Sequence, residues 1–252
     1  LDLGSLHTHK VTDMTYMFAR CSSITSLDLT SLDTSEVTSM RGMFDNCSDL
    51  TNLDLTPLDT QNVTNMSGMF NSCESLTSLD LSPLNTKNVT DMSWIFSSCV
   101  GLSSIDLSPL DTNNVTDTSF MFYGCTGLKT LDLTPMNTSK VVTMQQMFYD
   151  CSGLTSLDLT SLDTRNVMGM SGMFQGCKSL INLDLSSLNT QKVTSMNSMF
   201  LDCDSLSTLS IGEKFAFVGT YYNLPSDTWY SSNGTAYISN GNSCTIPSNK
   251  AD

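Results

Sequence analysis

The sequence predicts an α/β repeat fold: a curved solenoid with short parallel strands on its concave face, short helices on its convex face and a small β-rich C-terminal cap. Three observations predict it. Cys21, Cys47, Cys73, Cys99, Cys125, Cys151, Cys177 and Cys203 recur at a constant step of 26 residues. The phenylalanines from Phe18 to Phe200 keep the same step, and the block from Leu53 to Ser78 (LDLTPLDTQNVTNMSGMFNSCESLTS) returns along the chain without insertions. A period of about 20 to 50 residues marks stacked supersecondary units rather than one globular core.

Each repeat opens with a strand. Cys73, Leu76, Leu79, Asp80, Leu81, Leu84 and Thr86 spell C-x-x-L-x-x-L-D-L-x-x-L-x-T, which contains the L-x-x-L-x-L core of a leucine-rich repeat. Alternation within L-D-L sends both leucines inward and the aspartate outward. A helix is expected next, because Val63, Met66, Met69, Phe70 and Cys73 stand at i, i+3, i+6, i+7 and i+10, with Asn62 or Thr64 placed to cap it. Neither element can bury its apolar side alone, so coils stack at about 4.8 Å, Leu on Leu, Met on Met and Phe on Phe. A helix is wider than a strand, and the stack is expected to bend with the strands on the inner curve. Beyond Leu209 the period fails. Lys214 to Tyr222 alternates like a strand, and Trp229 to Ile238 reads as a hairpin turning at Asn233-Gly234. Phe215, Phe217, Trp229 and Tyr237 are expected to close the last coil. The chain thus divides into a leucine-rich-repeat solenoid, residues 1–211, and a β-rich cap, residues 212–252.

These repeats resemble those of BspA-like leucine-rich-repeat surface proteins, which read much like L-D-L-S-x-x-D-T-S-x-V-T-x-M-x-x-M-F-x-x-C-x-x-L. The resemblance runs from Leu1 to about Ile211, and V-T-x-M-x-x-M-F-x-x-C is its specific part. The tail from Trp229 to Tyr237, W-Y-x-x-x-G-x-x-Y, is similar to those that close many family members. The resemblance implies a bacterial or protist cell-surface protein, extracellular and often adhesive, with a protein or glycan ligand on another cell or matrix.

Composition narrows the classes. A net charge of −14 and a pI near 4.2 argue against nucleic acid and against anionic membrane surfaces. No run of 18 apolar residues occurs, so membrane insertion is not expected. The chain opens inside a repeat without Met, and an N-terminal portion is expected to precede it. Only two histidines, His7 and His9, are present, so no nucleophile finds a base and no enzyme is expected. The pair lacks a third metal ligand, and two solvated histidines are expected. The cysteine column, with no C-x-x-C and no histidine beside it, reads as a buried ladder of free thiols, and Cys244 as unpaired in the tail. No cofactor is implied.

Two surfaces remain as candidate binding sites. The first is the concave acidic column Asp28, Asp54, Asp80, Asp106, Asp132, Asp158 and Asp184, preceded by Asp2. Neighbouring carboxylates repel, so their retention needs a reason. Either each accepts hydrogen bonds from hydroxyls such as those of Thr30, Thr56, Ser78 and Ser82, or the column is a track for cations, Ca²⁺ among them, or a basic partner. The second is aromatic. Where other repeats carry Gly42, Gly68 and Gly172, the fourth and fifth carry Trp94 and Phe120; three residues on, where Asn71 and Ser97 stand, come Tyr123 and Tyr149. These four are expected to cluster on the outer face, away from Met66 and Phe70, as a contact patch for a protein or glycan. The threonine column from Thr8 to Thr190 is expected to satisfy turn backbone groups. Surface adhesion is the leading reading; a self-associating filament or surface-layer subunit and an acidic cation-binding scaffold are the alternatives.

Overall fold

Coils of the expected length form, and the columns stack as the period requires. The structure, a computed structural model, describes residues 2–219, 221–231 and 234–242. In the third coil Leu55, Leu58, Val63, Met66, Met69, Phe70, Cys73 and Leu76 are all buried, and equivalent residues repeat this pattern along the chain. The phenylalanines from Phe18 to Phe200 form one continuous stack with ring centroids 5.7 to 6.0 Å apart.

The helices are not there: the described residues contain strands and turns but no helix. Tracing the backbone donors explains why. In the third coil the N–H groups of Met66, Gly68, Phe70 and Ser72 donate to carbonyls of the next coil, those of Asp91, Ser93, Ile95 and Ser97. The intervening N–H groups of Met69, Asn71 and Cys73 donate to Met66, Gly68 and Phe70 in their own coil, and that of Ser67 to Asn65 Oδ1. Every donor from Met66 to Cys73 is satisfied, half of them between coils. A helix would have turned them all along its own axis and left the coils joined by side chains only. Turns closing i to i+3 bring the same residues inward as a helix does, so the apolar spacing does not separate the two.

Two positions per coil take left-handed backbone to make this possible, Gly68 (φ 64°) and Ser72 (φ 55°) in the third. Asn62 and Thr64 do not cap a helix. Asn62 Nδ2 and Thr64 Oγ1 donate to Ser35 O and Thr38 O of the preceding coil, and Asn88 and Asn114 repeat the first contact.

Pairing along the stack is also redistributed. A parallel ladder runs through Asp13, Ser39, Asn65, Asp91, Asp117, Thr143, Gly169 and Ser195, on the V-T-x-M segment rather than on L-D-L. On the L-D-L side, strand pairing is found at the C-terminal end, where β1 (Asn182–Leu185) lies parallel to β2 (Thr208–Ile211) with Asp184 opposite Ser210. With no helix to outsize a strand, the reason given for the bend no longer applies, so the two sides are named here the L-D-L face and the turn face.

The thiols are buried and free. Cys47 to Cys203 are buried and Cys21 is half-buried. Each buried thiol donates to the phenylalanine carbonyl of the preceding coil, as Cys73 Sγ does to Phe44 O at 3.3 Å. The threonine column behaves as expected, and each hydroxyl does more than fill a turn. Thr60 Oγ1 accepts from Asn85 N at 2.7 Å and donates to Asn85 O at 3.1 Å, bridging both polar groups of one residue in the next coil.

At the C-terminal end, the described residues between Lys214 and Tyr222 form no strand but continue the inter-coil bonding: Ser198 and Phe200 donate to Tyr221 O and Tyr222 O. Phe217 packs edge-on to Phe200 and Phe215 and stacks on Tyr222 at 4.2 Å. Phe215 and Phe217 are buried at the end of the last coil together with Tyr222 and Leu224, while Trp229 is partly buried. The hairpin forms, with β3 (Asp227–Tyr230) antiparallel to β4 (Ala236–Ser239) and Trp229 opposite Tyr237. Gly234 takes the left-handed conformation its turn requires (φ 83°). Leu1, Asn233 and Cys244 lie outside the described residues.

Candidate interaction surface

On the L-D-L face the aspartates point outward, and their first task is local. In each, Oδ1 accepts the backbone N–H two residues on: Asp28 from Thr30, Asp54 from Thr56, Asp80 from Ser82, Asp106 from Ser108, Asp132 from Thr134, Asp158 from Thr160 and Asp184 from Ser186, at 2.8 to 3.0 Å. Thr30, Thr134 and Thr160 add their hydroxyls. These are Asx turns, which bend the chain out of L-D-L toward the next segment. The backbone bond holds the Asp28, Asp80, Asp106 and Asp158 carboxyls below the usual carboxylate range; for Asp132 the Thr134 hydroxyl is the larger cause. Repulsion from Asp80 pushes Asp106 the other way and is the smaller effect. That is the reason the column needs. Among the described residues, no three of His, Cys, Asp and Glu form a group that could hold a metal ion. His7 and His9 are solvated, with His7 Nδ1–H donating to Ser5 O.

Because the ionised carboxylate is favoured by folding, its contribution is present above about pH 4 and lost as the pH falls through the lowered values. Asp106→Asn keeps the acceptor, as Asn85 Oδ1 does for Lys87 N in a neighbouring turn. Thermal melts at pH 7 are expected to show Asp106→Asn slightly below the wild-type Tm, through loss of the charge-assisted bond, and Asp106→Ala clearly below Asp106→Asn, through loss of the turn. A fall of both alike would mean that charge, not the turn, retains the column.

The turn face carries the second surface. One left-handed position recurs as Tyr16, Gly42, Gly68, Trp94, Phe120, Gln146, Gly172 and Ser198, with φ between 52° and 64°. Its companion column, Asn46, Ser72, Ser98, Gly124, Asp150, Gly176 and Asp202 after Arg20, keeps to the small or polar types that tolerate this backbone. The first column does not. Trp94 and Phe120 adopt a conformation that costs an L residue about 1 to 2 kcal/mol, at a place three other repeats fill with glycine.

The four aromatics cluster as expected, although turns rather than a helix present them. Trp94 stacks on Phe120 at 3.9 Å and Tyr123 on Tyr149 at 4.5 Å, and Tyr123 leans on Trp94 at 5.6 Å and on Phe120 at 6.0 Å. Trp94 remains 37% exposed. Burial, then the neighbouring Tyr149 and Asp150, push the Tyr123 phenol above its ordinary range. Ser97 is buried, and its Oγ is the one buried side-chain oxygen without a hydrogen-bond partner among the described residues.

The coil geometry is matched by a family model. The family described as "Mycoplasma protein of unknown function, DUF285" matches residues 1–76, 49–156 and 101–211, through every coil. The chain belongs to this family. The DUF285 match covers the same repeats that resemble BspA-like leucine-rich-repeat proteins, and that reading of the motif stands.

Similar solved structures include the Treponema pallidum leucine-rich-repeat protein, at 24% identity over 66% of this chain and 69% of that one, TM-score 0.46. A leucine-rich-repeat protein from Eubacterium ventriosum shows 18% identity over 82% and 61%, TM-score 0.47. A leucine-rich cell-surface protein from Faecalibacterium prausnitzii shows 17% identity over 80% and 77%, TM-score 0.26. No curated protein matches the sequence. No helix among the described residues is long and apolar enough to cross a membrane.

Proposed function

We propose that this chain is a non-enzymatic, extracellular binding or adhesion module whose contact surface is the aromatic ladder Trp94, Phe120, Tyr123 and Tyr149. Residues 1–211 are its scaffold and residues 212–252 its closure. The partner is a protein or glycan on another cell or on matrix. One observation carries this reading: two bulky aromatics are held, partly exposed, in a strained conformation at positions where Gly42, Gly68 and Gly172 serve the same coil. Strain at a position where glycine serves equally well, balanced only by mutual stacking of partly exposed rings, points to function. An exposed aromatic patch beside coils that present short polar side chains is the form a binding hot spot takes.

The experiment is Trp94→Gly with Phe120→Gly. Loss of the stack offsets the relief of strain, so the Tm is expected to change little. Capture on an array of matrix proteins and glycans is expected to fall at least about tenfold. Unchanged capture by a stably folded double variant would end the proposal. Light scattering with and without Ca²⁺ separates the alternatives: growth with concentration supports the filament subunit, and growth with Ca²⁺ alone supports the acidic column as a cation scaffold.

A further inference from the structure

The aromatic stack stops at Trp94, and the next place along it is open. Toward the C-terminal side Trp94 is covered by Phe120 at 3.9 Å, so its other face turns toward the third coil. There the equivalent residue is Gly68, and a Cβ built on it would meet nothing closer than Asn71 Cβ at 3.8 Å and Trp94 Cβ at 3.9 Å. One coil further, the Tyr16 ring lies across Gly42, where an added Cβ would sit 2.2 Å from Tyr16 Cε1. Rings therefore occupy the second and fourth coils and leave the third free. Two coil spacings are about 10 Å, enough for one ring to lie beside the open face of Trp94. The resulting groove has a volume of about 210 Å³. That is less than the roughly 300 Å³ at which pockets begin to hold drug-sized ligands, and it fits a single ring.

Its edges are polar. Asp45 Oδ1 accepts from Asn71 Nδ2 at 2.6 Å, and the Arg41 guanidinium stands 5.6 Å from the Tyr16 ring centroid. Both the carboxylate and the guanidinium line the groove with Trp94 and Tyr16. The groove thus offers a free indole face and, around it, an acceptor, an amide and a planar donor.

We infer that this groove binds one pyranose ring of a glycan, its C–H face on Trp94 and its hydroxyls on Asp45, Asn71 and Arg41. An inserted aromatic side chain brings one or two polar groups at most to Asp45, Asn71 and Arg41, and a basic side chain would face Arg41. A pyranose alone among these supplies both an apolar face and a rim of hydroxyls. The inference rests on the contact-surface reading and names a ligand class for ground adjoining it.

The test uses the full chain with glucose, galactose, mannose, N-acetylglucosamine and sialic acid, by saturation-transfer NMR, together with the glycan array. Gly68→Phe extends the stack into the groove in a backbone conformation Phe120 already adopts, and melting checks that it folds. At least one sugar is expected to bind the wild type, to weaken about tenfold or more in Gly68→Phe and Asp45→Ala, and to change less than about twofold in Met168→Ser, an exposed side chain outside the contact surface. Absence of sugar binding by the wild type, or binding that survives Gly68→Phe, overturns the inference. A matrix protein lost in Trp94→Gly/Phe120→Gly but retained in Gly68→Phe would leave the contact surface standing and the pyranose site refuted.

Discussion

Between pH 7 and pH 10 the solenoid is expected to lose most of its stability, and the cysteine column is the cause. Burial pushes the Cys73, Cys125 and Cys203 thiols up to about 12 and the Cys47 thiol to about 11, and it pushes Cys99, Cys151 and Cys177 up as well. A thiol raised in the folded chain stabilises it fully below the unfolded value, about 8.5, and that contribution is lost as the pH rises toward the folded value. By pH 10 each thiol still protonated in the fold costs about 2 kcal/mol relative to an ionised one in the unfolded chain. Cys73, Cys125 and Cys203 together cost on the order of 6 kcal/mol, and Cys99, Cys151 and Cys177 act in the same direction, against a typical domain stability of about 5 to 15 kcal/mol.

Circular-dichroism melts from pH 7 to 10.5 are expected to show Tm falling steeply above pH 8.5. Replacing Cys99 and Cys125 with alanine lowers Tm at pH 7, through lost packing and lost bonds to Phe70 O and Phe96 O, yet makes it fall less steeply at high pH. In a Cys244→Ser background, maleimide at pH 8 is expected to label Cys21 and spare the other seven column thiols. An alkaline slope unchanged by the double substitution, or rapid labelling along the column, would contradict the buried-thiol account.

What could be read from the sequence was whatever repeats at side chains: the step, the inward Leu, Met, Phe and Cys columns, the Thr hydroxyls and the meeting of Trp94 with Phe120. The backbone was hidden. Apolar residues at i, i+3 and i+7 satisfy a helix and a run of i to i+3 turns equally, and only the destination of the N–H groups separates them. A signal was present. Gly42, Gly68 and Gly172 in one column, and Asn46, Ser72, Gly124 and Gly176 in the other, are residues that favour left-handed backbone and weaken helices. For the acidic column, hydroxyl partners were legible and the backbone partner was not. Asp or Asn two residues before a turn N–H is an Asx-turn signature, and the third coil carries it twice more, at Asp59 to Gln61 N and Asn65 to Ser67 N. The groove over Gly68 could not be read from the sequence, because it exists only where Tyr16 leans over one glycine and nothing leans over the next.

Thr86→Val is expected to destabilise the chain by about 2 to 4 kcal/mol, more than its near-identical shape suggests. Thr86 is 1% exposed, and its hydroxyl accepts from Asp111 N at 2.7 Å and donates to Asp111 O at 3.1 Å. Valine fills the space and leaves both backbone groups of Asp111 without a partner in a crowded turn between coils. Thr86→Ser keeps the hydroxyl and should lie within about 1 kcal/mol of wild type, since only one methyl is lost. Position along the stack matters too, because each coil is held by its neighbours. Thr8→Val, in the first coil, deprives only Asp33 N of the second and should cost less than the same change at Thr86. Urea titration of the three variants decides the matter. If Thr86→Val unfolds at the wild-type midpoint, the apolar columns and the turn-face backbone bonds couple the coils without the threonine hydroxyl. If it unfolds early while Thr86→Ser does not, the threonine column joins each coil to the next, and the unbroken run from Thr8 to Thr190 has its physical cause.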